Sequence, residues 1–99
     1  MRRLSMVAGL VASLALASSV YATTENVGGG TWNHGSSLNL FPPGKHCYSE
    51  FVQPQYWHSA TAIIGTHTSK VYQPAGNWAN AAADGGLSET CYAYWAYYN

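Results

Sequence analysis

Thr90-Cys91-Tyr92-Ala93-Tyr94-Trp95-Ala96-Tyr97-Tyr98-Asn99 holds five aromatic rings and no charged residue. Side chains alternate across a pleated strand, so Cys91, Ala93, Trp95 and Tyr97 fall on one face and Tyr92, Tyr94, Ala96 and Tyr98 on the other. Rings on both faces predict a strand in the middle of a sheet or against a partner, because an open, uncharged aromatic edge invites edge-to-edge pairing. The stretch reads either as an aromatic core strand or as a recognition strand. Strand preference alone leaves both open.

At the other end of the chain, Met1 to Ala22 has the features of a signal peptide. Arg2 and Arg3 give a positive start, Leu4 to Ala17 an apolar run short for a bilayer, and Val20-Tyr21-Ala22 the small residues that precede a cleavage site. The expected exported form is residues 23–99, with Thr23 to Gly30 as a flexible glycine-rich leader and residues 31–99 as one domain. Export removes both arginines. Lys45 and Lys70 then stand against Glu25, Glu50, Asp84 and Glu89, a net charge of minus two with neutral histidines. Phosphate backbones are held by clustered Lys and Arg, so nucleic acid is not an expected partner, and the chain is no cationic membrane-lysing peptide.

A domain this small has a marginal core and needs a staple. Its two cysteines, Cys47 and Cys91, allow one bridge in an oxidising compartment. Closing that loop restricts the unfolded chain by roughly 4 kcal/mol in the chain-entropy account.

Between these landmarks the pattern is one of short strands and turns. Ser36 to Gly44, with Phe41-Pro42-Pro43-Gly44, reads as a loop. His46 to Val52 reads as a strand with Cys47 and Phe51 on its core face. Trp57 to Ile64 alternates clearly, with Ala60, Ala62 and Ile64 on one side. Thr66 to Gln73 follows as its antiparallel hairpin partner across Gly65. Asn77 to Ala83 is too short for a stable isolated helix and reads as a strand carrying Trp78 inward. Five or six strands without a long helix predict an all-β sandwich or small barrel.

Catalysis finds no support in the residue pattern. Four scattered carboxylates, no nucleophile elbow and no nucleophile-base pair argue against an enzyme. His34, His46, His58 and His67 lack the close spacing of metal ligands, so neither metal nor cofactor is expected. Thirteen Trp, Tyr and Phe residues in the exported chain exceed what its core can cover. Such rings suit sugar faces, lipid headgroup regions and protein interfaces.

Four blocks carry a family resemblance: Gly30-Thr31-Trp32-Asn33-His34-Gly35, His58-Ser59-Ala60-Thr61-Ala62, Ala75-Gly76-Asn77-Trp78-Ala79, and Leu87-Ser88-Glu89 with its aromatic tail. In order and spacing they resemble the lactococcin 972 family of secreted bacteriocins. The resemblance implies a β-sandwich of two three-stranded antiparallel sheets, export by the general pathway, and killing of related Gram-positive bacteria by binding lipid II and blocking septum formation. This chain departs from the family type in having two cysteines and an acidic exported form. A pyrophosphate-bearing ligand needs donors, and the expected binding residues are Trp32, His34, Lys45 and Lys70, beside the backbone N–H groups of Gly28 to Gly30. The expected partner is lipid II or another envelope component, with a homodimer left open. The alternative function is a secreted, non-lethal adhesion or structural module binding surface glycans or a protein.

Overall fold

A computed structural model describes residues 20–99 of the 99-residue chain. The expected signal peptide therefore lies, but for its last three residues, outside the described residues. Seven strands follow one another: β1 (Val20–Val27), β2 (Gly30–Leu40), β3 (Pro43–Val52), β4 (Trp57–Ile64), β5 (His67–Gln73), β6 (Ala79–Gly85) and β7 (Cys91–Tyr98). They form two antiparallel sheets, a four-stranded one in the order β1-β2-β3-β6 and a three-stranded one in the order β5-β4-β7.

The fold is all-β and layered as expected, but four strands face three where three were expected to face three. The extra strand is β1, which starts in the last three residues expected as signal peptide and runs through the stretch expected as a leader. Its Thr23 to Asn26 segment is polar, yet Gly28-Gly29 makes a two-residue hairpin turn with both φ angles positive, 57° and 75°. That geometry is the primed turn whose twist matches paired strands, and glycine adopts it without a Cβ penalty. The next residue, Gly30, is required for a different reason: a Cβ there would stand 2.0 Å from the Val52 carbonyl oxygen.

Three other expectations change. The Ser36 to Gly44 stretch is not a loop. β2 runs on to Leu40 and β3 begins at Pro43, leaving Phe41-Pro42 as the turn; proline is tolerated there because it sits at a strand's first residue. Trp78 does not point inward. The core side of β6 falls on Ala79 and Ala81, so Trp78 has the wrong parity and stays exposed. Finally, β7 is an edge strand, paired only with β4. Its inward residues still anchor it, because Cys91 and Trp95 pack on the core.

The sandwich interior is built from Phe51, Ile64, Cys47 and a set of alanines: Ala60 and Ala62 on β4, Ala79 and Ala81 on β6. β4 lies over β6 and β3, β5 over β6, and β7 over β3 and β2. Alanines where β4 meets β6 let the two layers approach closely. Beside them Phe51 meets Trp95 at 5.1 Å and His58 edge-on at 5.6 Å between ring centroids. The expected bridge is present: Cys47 on β3 and Cys91 on β7 join the two sheets, with Cα atoms 5.4 Å apart. β1 is held chiefly through β2 and extends the larger sheet beyond the cover of the smaller.

Among the described residues, each buried polar side chain has a polar partner within hydrogen-bond distance. Ser49 accepts from Trp32 Nε1 and donates to the Tyr94 carbonyl, both at 2.9 Å. Gln53 accepts the backbone N–H groups of Gln55 and Tyr56 and donates to the Gly28 carbonyl, organising the β3–β4 connection. His58 places Nδ1 2.9 Å from the Tyr56 carbonyl and Nε2 2.6 Å from the Asn77 carbonyl.

Candidate binding surface

Alternation along the three strands of the smaller sheet decides what reaches its outer face. On β4 the inward positions are His58, Ala60, Ala62 and Ile64, so Trp57, Ser59, Thr61 and Ile63 point outward. The register then sets Tyr98 beside Trp57, Tyr72 beside Ser59, Lys70 and Tyr94 on either side of Thr61, and Tyr92 beside Ile63. The result is one surface carrying Trp57, Tyr72, Tyr92, Tyr94 and Tyr98, with Lys70 on its β5 edge, each ring between 44% and 57% exposed.

This surface is ordered by its own contacts. The Tyr72 and Tyr98 rings lie 5.9 Å apart. Beneath them Ser59, although outward on its strand, is buried and bonded to the Tyr98 hydroxyl at 2.9 Å. Lys70 Nζ stands 5.1 Å over the Tyr72 ring. Hydrogen bonding and charge from Tyr72, supplemented by Tyr98, hold its ammonium above the ordinary lysine range. No Asp or Glu occurs in β4, β5 or β7. The described carboxylates lie on the other sheet or in the β6–β7 connection.

The structure separates the four residues expected to bind. Trp32 and His34 are together on the inward side of β2, stacked with centroids 3.7 Å apart. His34 Nε2 lies 2.7 Å from Glu25 Oε2 on β1, and Trp32 is committed to Ser49. The pair thus fastens the overhanging β1–β2 hairpin. Lys45, at the start of β3, donates to the Glu89 carbonyl at 2.7 Å and ties down the connection into β7. Lys70 alone lies on the tyrosine surface. The Gly28 to Gly30 run borders a shallow open depression with Val27, Val52, Pro54 and Gly76, in which no charged side chain takes part.

Sequence reasoning did not single out the five rings as one surface. Their signal was present in the outward parity of Tyr92, Tyr94 and Tyr98, but that parity points at solvent only once β7 is paired with β4. Among the described residues no group of three or more His, Cys, Asp or Glu side chains is placed to hold a metal ion. No helix among them is long and apolar enough to cross a membrane.

No curated protein and no solved structure matches the chain. A family model does match, over residues 28–95, which span the described fold from the β1–β2 turn into β7. Its description is that of a bacteriocin, lactococcin 972. The four sequence blocks fall within or close against this match, on β2, β4, the approach to β6 and the approach to β7. The chain belongs to the lactococcin 972 family of bacteriocins.

Proposed function

We propose that the chain is exported and stops the growth of related Gram-positive bacteria by binding lipid II at the cell envelope and blocking septum formation, without catalysis. The observation that carries the binding part of this reading is the tyrosine surface with Lys70 beside Tyr72 on its β5 side. Rings tipped with hydroxyls offer contact area at low entropic cost and remain able to hydrogen-bond. A positive charge free of neighbouring carboxylates suits an anionic ligand. Lys70 is the one expected binding residue kept as a direct contact. Trp32, His34 and Lys45 support binding by holding the β1–β2 hairpin and the β6–β7 connection in place.

Growth inhibition by the oxidised protein, with and without added lipid II, tests this. Inhibition that free lipid II relieves supports the reading. Binding to cells with no effect on growth favours the non-lethal adhesion module instead.

A further inference from the structure

We propose that the outer face of the β5-β4-β7 sheet is a docking platform for the polysaccharide of the cell wall, an acidic chain of pyranose rings. This rests on the envelope-binding reading above and names what the face holds there. Residues on one face of a strand repeat about every 7 Å, so Tyr92, Tyr94 and Tyr98 form a row roughly 20 Å long on β7. Trp57 on β4 and Tyr72 on β5 widen it at one end. A pyranose presents an apolar C–H face and a rim of hydroxyls. An aromatic ring with an adjacent phenol, Thr61 and Thr68 hydroxyls, and a lysine ammonium match both parts.

Charge narrows the occupant. Lys70 is the only lysine or arginine in the three strands, and they hold no Asp or Glu side chain to neutralise it. A sugar chain bearing carboxylates complements one such charge per site. A lipid surface fits less well, because one cation gives weak attraction and phenols lack the aliphatic wedge of an interfacial anchor. Nucleic acid would need the basic cluster that is missing.

The experiment is co-sedimentation of the oxidised protein with purified sacculi free of lipid and protein. It is paired with vesicles bearing lipid II and with a growth-inhibition assay. The wild-type protein should sediment with sacculi, and the combined variant Trp57→Ala, Tyr72→Ala, Tyr94→Ala should lose at least tenfold in bound fraction. All three rings are more than half exposed, so the fold should survive their loss. Phe41→Ala, which removes an exposed ring from the β2–β3 turn, should bind as wild type. A measurement free of substitutions backs this up: soluble glycan fragments should shift amide resonances of β4, β5 and β7 and leave those of β1 unmoved. Wild-type protein that stays in the supernatant, or shifts confined to the four-stranded sheet, overturns the proposal. If lipid II vesicles are still bound and growth still inhibited in that case, the glycan assignment fails while the bacteriocin reading stands. Sacculus binding without inhibition refutes the bacteriocin reading alone.

Discussion

Trp32 donates its indole N–H to Ser49 Oγ across the β2–β3 ladder, and the Ser49 hydroxyl donates in turn to the Tyr94 carbonyl on the opposite sheet. One buried hydroxyl therefore couples an indole on the larger layer to the backbone of the aromatic tail. This gives Trp32 a structural task that its place in a Gly-Thr-Trp-Asn-His block does not reveal.

Trp32→Phe should keep a ring against His34 while removing the donor to Ser49. A cost of about 1 kcal/mol is expected from one lost hydrogen bond, with growth inhibition retained. Trp32→Ala should cost about 3 kcal/mol by opening a cavity beside Phe51. Chemical denaturation and inhibition assays on both variants check this; inhibition abolished in a fully folded Trp32→Phe protein would make the indole a contact residue.

His58 is the buried tie between two connections. Each ring nitrogen faces a carbonyl, Tyr56 on one side and Asn77 on the other, and a carbonyl can only accept. The doubly protonated ring donates to both, the neutral ring to one. His58→Phe removes every donor and puts a larger, apolar ring into the same buried slot, so a loss of about 2 kcal/mol or more is expected. Faster amide exchange should accompany it in the β3–β4 and β5–β6 connections.

Replacing Cys47 and Cys91 together by serine should cost roughly 4 kcal/mol, because the bridge closes a long loop and spans the two layers. For a fold of this size that is most of its net stability. Thermal unfolding of the double variant against the oxidised parent measures the difference. Equal melting temperatures would show that the alanine and Phe51 interior holds alone.

Alkaline pH should weaken the fold. Burial, then the Glu50 charge, raises Tyr48 above the 10.0 of a free tyrosine, and Tyr72 above all raises Lys70 above 10.5. In both the folded state binds its proton more tightly than the unfolded chain, so unfolding releases protons and stability falls as pH rises. Their contribution is intact below the unfolded values and is lost as pH climbs through the folded ones. Urea midpoints should fall once pH exceeds about 10, and Tyr48→Phe should flatten part of that decline.

Much of the fold was legible wherever one face is apolar and the other is not. The Trp57–Ile64 strand matches its expected limits because Ala60, Ala62 and Ile64 alternate with outward residues. The pairing of Cys47 with Cys91 needed only the count of cysteines. β1 was illegible because it straddles the expected cleavage site, its Thr23 to Asn26 segment is polar and its turn is written in glycines that read equally as a linker; pairing with β2 makes it a strand. The candidate surface was hidden for a related reason. A strand ringed on both sides looks internal, and only the choice of neighbours left Tyr92, Tyr94 and Tyr98 uncovered. Lys70 was named from the scarcity of cations, and Trp32 and His34 from their sequence block; that these two share the inward side of β2 depends on the pairing with β3 and on where the second sheet ends.

The bridge from β3 to β7 also governs how the molecule withstands proteases. A single cut at the exposed Gly65-Thr66 turn or in the Pro74 to Trp78 connection lies between the two half-cystines, so it leaves both pieces covalently joined. Release of a fragment then needs a second cleavage or a reductant, and a nicked molecule can still present its tyrosines on an intact layer.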